Sequence, residues 1–314
     1  MSEGHAGMEN QCRGLAEALG FTPIIKRIQP RPPWTWMPAA LWPCPFLSLS
    51  PNGDRPAPPW PDVLITCGRR SVPIAMAIRR KSGAKTYTIH IQDPTVASDR
   101  FDLIIAPTHD GFKGDNVIVA HGALHRVTKD RLADDARRFA PLYGDLPRPL
   151  IGVLIGGPNR RYKAGPVEMA QLADKLKRLC AETGGALAVT PSRRTGAESL
   201  KAFREGLRDS PAVIWDNQGD NPYFGILGLA DIIVVTCDSI SMVTEACVSG
   251  KPVYVEFFPG GSKRFKQFHA EMTASGYTRP FTGRLENFPG KEMDNMGEVS
   301  ARIAEKFPAH HQKG

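Results

Sequence analysis

The residues best suited to chemistry sit in short polar strings that each follow an apolar run. Thr236-Cys237-Asp238-Ser239-Ile240-Ser241-Met242 leads into Val243-Thr244-Glu245-Ala246 and closes at Gly250-Lys251-Pro252. Ile240, Val243, Cys247 and Val248 share one helical face, and Asp238, Ser239 and Ser241 suit the N-cap region before it. Free N–H groups and the positive dipole end of such a helix accept a phosphate, with serine hydroxyls as further donors. Glu245 lies about one and a half turns in, where a carboxylate reaches a ribose diol. Ordinary capping, with Glu245 a solvated first-turn acid, is the alternative.

Two more strings repeat the pattern. Pro191-Ser192-Arg193-Arg194-Thr195 sets two arginines beside hydroxyls, suited to bidentate oxyanion contacts or else a solvated basic loop. Gly156-Gly157-Pro158-Asn159-Arg160 lets backbone approach a ligand closely. It is not GxGxxG, and the chain has no Walker signature, which weakens dinucleotide and P-loop readings. Asp216-Asn217 is a candidate base or ribose partner, or a simple Asx turn.

The N-terminal half offers general bases. His5, in Gly4-His5-Ala6-Gly7, titrates near neutrality. His90-Ile91-Gln92-Asp93-Pro94 ends an apolar run; His90 and Gln92 fall on one side by alternation, and Asp93 falls at the loop. A buried histidine and a turn aspartate are the alternatives. His121 and His125 precede the crossing to the second half. No HxxxH with an acidic partner and no cysteine pair makes a convincing zinc site, so no metal is expected.

The elements that must position these residues alternate. Helix Glu9–Leu19 and strands over 23–28, 62–67, 85–91, 101–106 and 116–120 precede turn-like residues 141–149. Strands over 150–155, 186–190, 212–215, 231–235 and 252–256 follow, with a helix over 166–180. This alternation predicts parallel sheets built from right-handed βαβ crossovers. The expectation is α/β: two doubly wound Rossmann-like domains facing a cleft, 1–145 on the acceptor side and 146–314 on the nucleotide-sugar side. The C-terminal helix is a candidate to pack back on the first domain.

Residues 30–61 break the rhythm, with eleven of the 28 prolines and four of the five tryptophans. Proline at that density supplies neither helix nor ladder donors. An ordered flap, touching either core alone or also substrate or membrane, is expected. The chain has 314 residues, 23% charged and 41% hydrophobic, which excludes collagen-like, coiled-coil and wholly disordered classes. A net charge of +8 favours anionic partners. The basic residues form no aromatic-interleaved stripe, so nucleic acid is not expected. Six scattered cysteines, no secretory leader at Met1 and no spanning run point to reduced thiols, a cytoplasmic location and membrane contact only at the surface.

The strings GHAGMENQCRGLAEALG, HIQDP, APTHDG, IGGPN, TPSRRT, WDNQGDNPYFGILGLADIIVVTCDSISMVTEA and GKPVYV together resemble the plant elongated-mitochondria fission proteins and their bacterial relatives, from about Gly4 to Phe281. More distantly, the C-terminal half resembles the donor domain of GT-B glycosyltransferases and the fold of UDP-GlcNAc 2-epimerases. The resemblance implies that Asp238, Ser239, Ser241 and Met242 hold a nucleotide diphosphate and that Glu245 binds ribose. It implies that Ser192, Arg193 and Arg194 form the basic loop, and that the glycine loop at His5 matches an N-terminal one. Family members carry an apolar strand before that last loop, for which Met1-Ser2-Glu3 leaves no room.

The implied activity is metal-independent transfer of a sugar from a nucleotide-diphosphate donor, UDP-linked, to a glycolipid or polysaccharide of the cell envelope. The donor is a substrate, and no cofactor is implied. Gly156 and Gly157 would approach the donor, and Asp93, His5 or His90 would deprotonate the acceptor. The alternatives are a sugar-nucleotide 2-epimerase or hydrolase, and a non-catalytic, membrane-associated fission-type scaffold that keeps a nucleotide pocket.

Overall fold

A computed structural model describes residues 1–306. The chain divides into two compact units, residues 1–126 with 294–314, and residues 127–293.

In the first unit, β1 (Val63–Cys67), β2 (Tyr87–Ile91), β3 (Leu103–Pro107) and β4 (Val117–Ala120) form one parallel sheet in that order. Alternation along β3 shows how both faces are filled. Ile104 and Ala106 join the layer of α2 (Val72–Lys81), while Leu103 and Ile105 join that of α1 (Ala6–Ala18) and α9 (Asn295–Lys306). A strand buried on both faces reads as a continuous apolar run, as these do. The terminal helix α9 belongs to this unit. Its Val299 and Ile303 are buried in the layer with Leu15 of α1.

The expected strand over 23–28 does not form. Among the described residues the segment makes one bridge, Arg27 to Ser2, and Ile24 is left 84% exposed. The proline-rich segment is ordered by short 3-10 turns at Trp34–Trp36, Ala39–Leu41 and Pro45–Ser48. Ala39 and Leu49 anchor it in the core beside Ile28. Its tryptophans do different things. Trp42 is buried, Trp34 donates its indole N–H to Pro43 O at 2.7 Å, and Trp60 stacks on Phe46 at 5.9 Å. Only Trp36 is widely exposed, at 78%, together with Leu41 and Leu47.

The second unit holds β5 (Leu150–Ile155), β6 (Ala186–Pro191), β7 (Ala212–Ile214), β8 (Ile232–Thr236), β9 (Val253–Glu256) and the short β10 (Arg279–Pro280). All pairings are parallel, in the spatial order β10-β9-β8-β5-β6-β7. The chain winds outward from β5 in one direction and then restarts beside it with β8. The topological switch point therefore lies between β5 and β8. Connecting helices are α4 (Pro166–Thr183), α5 (Ala197–Gly206), α6 (Tyr223–Leu229), α7 (Ile240–Val248) and α8 (Lys263–Ala274).

The boundary falls at 126/127, earlier than the expected break near 145. Residues 129–143 form a helix, α3 (Lys129–Tyr143), that tolerates Pro141 near its end. Helix α3 packs on α6 through glycines. A Cβ at Gly225 would meet Phe139 at 2.7 Å, and one at Gly228 would meet Leu132 O at 2.5 Å. This contact binds α3 to the second unit. A Gly228→Leu variant is expected to lose about 1–3 kcal/mol of stability by overpacking. Denaturant melts of wild type and variant check this, and an unchanged midpoint would mean that α3 does not need that close approach.

Candidate functional site

At the switch point three strand exits are sewn together by one buried carboxylate. Asp238 is 3% exposed, and its Oδ2 accepts from Gly157 N–H and from the Arg194 guanidinium, both at 2.9 Å. Its Oδ1 accepts from Thr236 Oγ1 at 2.7 Å, while Thr236 Oγ1 accepts from Gly156 N–H at 2.8 Å. Asn159 Nδ2 donates to Asp238 O at 3.1 Å. Ser192 Oγ donates to Gly156 O at 2.8 Å, and Thr195 Oγ1 donates to the same carbonyl. The glycines are obligatory. A Cβ on Gly156 would collide with the Asp238 carboxylate, and one on Gly157 would collide with the Arg194 backbone.

Asp238 is thus not the helix cap. Ser239 is, with Oγ accepting from Met242 N–H at 3.4 Å. The first-turn amides of Ile240 and Ser241 have no partner among the described residues, as expected where a helix begins. Ser241 and Met242 lie half-buried in that turn. Arg194 is committed to Asp238 and also donates to Gly157 O at 3.1 Å. The exposed Arg193 makes no ion pair among the described residues. The chemistry available is anion binding. A set of N–H, hydroxyl and guanidinium donors converges here, and the protein's own carboxylate already satisfies part of it.

Glu245 is not the solvated acid that its position on α7 allows. It is buried, and Tyr223 Oη donates to its Oε2 at 2.5 Å. Burial pushes its carboxyl up to about 7, against the opposing pull of Tyr223 and Arg131. Burial, and then the Glu245 charge, push the Tyr223 phenol up as well. Sequence reasoning missed Tyr223. Its only cue was an aromatic opening a helix after Asn221, whose Oδ1 accepts from Tyr223 N–H and from Thr190 Oγ1, each at 3.0 Å.

The candidates of the first unit lie at separate places. His90 is fully buried in β2, with Nδ1 2.8 Å from Thr66 Oγ1 and its ring 5.0 Å from Phe101. Burial pushes it down to about 3, so it stays neutral in the core and cannot serve as an accessible base. Its expected catalytic role is withdrawn. His5 is the exposed N-terminal flank of α1 and its side chain makes no cap bond. Asp93, half-buried, accepts from Thr95 N–H at 2.7 Å in an Asx turn. Its own N–H donates to Asp110 Oδ2 at 3.4 Å, with His109 Nε2 3.8 Å from Asp110 Oδ1. His109 and Asp110 thus join Asp93 at adjacent strand exits, a grouping that the separate motifs did not suggest. His125 Nε2 lies 2.7 Å from Asn295 Oδ1 and both residues are buried. Among the described residues, no group of three or more His, Cys, Asp or Glu could hold a metal, and no helix is long and apolar enough to cross a membrane.

Fold and site together define a two-unit parallel α/β protein whose second unit gathers hydrogen-bond donors from three strand exits at its switch point. The chain belongs to the Mitochondrial fission ELM1 family, whose model matches residues 6–307. It is 32% identical over 276 residues to the Mitochondrial fission protein ELM1 of Arabidopsis thaliana, covering 79% of this chain and only 64% of that protein's length. An uncharacterized protein of Rickettsia prowazekii is 25% identical over 283 residues, covering 77% of this chain and 79% of the relative. Among solved structures the chain is similar to Acinetobacter baumannii MurG, with TM-score 0.49, 14% identity and coverage of 98% and 90% of the two chains. It is also similar to the UDP-GlcNAc 2-epimerase of Neisseria meningitidis bound to UDP-GlcNAc, with TM-score 0.47, 16% identity and coverage of 81% and 70%.

Glu245 yields a pH prediction. Its folded pKa lies above the unfolded value, so the protonated form is the one folding prefers. Its contribution is complete below about pH 4.5 and is lost as pH rises through about 7. Glu245→Gln, which mimics the protonated acid, should therefore gain stability relative to wild type across that window. The gain should reach the order of 1–3 kcal/mol by pH 8. Urea melts of both proteins between pH 4.5 and 8 measure the difference; a flat difference contradicts the assignment.

Proposed function

We propose that the second unit binds a nucleoside diphosphate sugar at the β5/β8 switch point and that the protein is a GT-B-type glycosyltransferase. The observation that carries this reading is the convergence of three strand exits and a serine-capped helix start on one anion-binding surface. Parallel sheets bind ligands outside the carboxyl ends of their strands at such a reversal. The diphosphate would rest on the Ile240 and Ser241 amides and the Ser239 and Ser241 hydroxyls, with Arg193 as its mobile cation. Asp238 would hold Gly157 and Arg194 in place, and the Ile240 and Ser241 amides would be left to the ligand. Glu245, carried on the same helix and held by Tyr223, is the candidate partner of a ribose hydroxyl.

Charge that develops on the diphosphate leaving group would be stabilised by these fixed donors without reorganisation. In the first unit, Asp93 and His5 remain the candidates for deprotonating an acceptor hydroxyl. The acceptor proposed is a glycolipid or polysaccharide. Exposed Trp36, Leu41 and Leu47 with the net +8 suit contact with an anionic lipid surface.

A second reading, a non-catalytic scaffold of the fission type, is favoured by one observation. The Asp238 carboxylate already occupies the Gly157 amide and Arg194. Incubation with a panel of nucleotide sugars separates the readings. UDP released only with acceptor supports transfer, release without acceptor supports an epimerase or hydrolase, and binding without turnover supports the scaffold.

The phosphate assignment predicts that Ser239→Leu abolishes UDP binding in calorimetry and that Arg193→Ala weakens it by about 1.5–3 kcal/mol. Wild-type affinity in both variants would contradict it. For the surface, Trp36→Ala should lower binding to anionic liposomes and leave the melting temperature and UDP affinity unchanged. A lower melting temperature with intact liposome binding would instead make Trp36 a core cover.

A further inference from the structure

On the β9 side of the switch point the second unit carries a groove that the nucleotide reading does not use. It encloses about 500 Å³, and its walls include Tyr162, Phe257, Phe258, Lys266, His269 and Ala270. Two loops bonded to each other frame it. Lys163 N–H donates to Pro259 O at 3.0 Å, Gly261 N–H donates to Arg161 O at 2.7 Å, and Tyr162 bridges Gly260. Gly260 has φ 122°, and a Cβ there would run into Arg161 O, so the close approach of the loops requires glycine.

Three features of the groove are complementary in chemistry. First, it has an aromatic surface open to solvent. Phe257 is 44% exposed and stands edge-on to the His269 ring at 5.0 Å, while Tyr162 is buried behind it against Phe265. The C–H face of a pyranose ring lies well on such a surface. Second, it holds a buried acceptor. His269 is 4% exposed, and its Nε2 donates to Cys237 O at 2.9 Å, which leaves Nδ1 as a lone pair without a partner among the described residues. Burial holds the ring below its ordinary pKa, so this lone pair persists at neutral pH and asks for a hydroxyl donor. Third, it has an unneutralised rim. Lys266 lines the groove, and Arg160, Arg161, Lys163 and Lys263 lie exposed on the framing loops and the first turn of α8. None of the five makes an ion pair among the described residues. Ring face, hydroxyl and anion belong together in one class of molecule.

We infer that this groove binds a sugar phosphate, with the ring on Phe257, a hydroxyl at His269 Nδ1 and the phosphate at Lys266. The inference stands on these residues and does not require the nucleotide reading. Calorimetry on the full chain with glucose 1-phosphate, glucose and inorganic phosphate tests it. Glucose 1-phosphate is expected to bind at least tenfold more tightly than either part alone. Ala270→Trp, an exposed helix position that fills the groove, should remove binding, and Lys266→Glu should weaken it at least tenfold. Both should keep the wild-type melting temperature and the wild-type response to UDP. Saturating UDP identifies the source. Binding alongside UDP assigns a free sugar phosphate, and displacement by UDP-glucose assigns the glycosyl end of the donor. No preference for glucose 1-phosphate over phosphate, or unchanged binding in Ala270→Trp, overturns the inference. If Ser239→Leu and Arg193→Ala leave UDP binding intact while Ala270→Trp removes sugar phosphate, the nucleotide assignment fails and this one stands.

Discussion

A carboxylate removed from water must be met by donors, or its burial costs several kcal/mol. Asp238 meets that requirement with Gly157 N–H, Thr236 Oγ1 and Arg194. Because those partners come from the ends of β5, β6 and β8, one constraint fixes three loops against each other. It explains why Gly156 and Gly157 cannot carry side chains and why Arg194 lies across the β5 exit. Removing Arg194 would leave an uncompensated charge, softened by Arg194's own 44% exposure.

Much of this frame was legible in the residue pattern. Every strand of the second unit except β10 follows from a β-branched run ending in a polar or glycine string. The alternation implies parallel strands, but the reversal at β8 is visible only in the strand order of the folded sheet. The two-residue β10, Arg279–Pro280, is too short to leave a pattern. The false strand over 23–28 shows the limit of composition. Its apolar and β-branched residues satisfy the strand rule, yet a strand needs a neighbour along its length, and only Ser2 bridges it. The α3 helix was hidden by Pro141, Gly144 and Pro147–Pro149, which look like a linker. Its place is set by a glycine-mediated contact with α6, some ninety residues later.

The site was half legible, for a similar reason. Type and spacing placed Ser239, Ser241, Arg193 and Arg194 at strand exits, but the partner each side chain takes depends on three-dimensional neighbours. Arg194 turns inward to Asp238, while the exposed Arg193 makes no ion pair among the described residues. His90 alternates inward and is captured by Thr66 on the adjacent strand, which removes it from chemistry. Tyr223 and His269 carried no motif. The first matters because it caps Glu245, and the second because its ring is pinned to Cys237 O, the residue before Asp238.

The central claim is that the β5/β8 switch point is where an anionic ligand meets this chain. Amide hydrogen exchange by mass spectrometry, with and without saturating UDP-GlcNAc, addresses it directly. The account predicts slowed exchange in peptides covering 156–160 and 237–243, with β1 to β4 of the first unit unchanged. Protection elsewhere with none at those two peptides would contradict it.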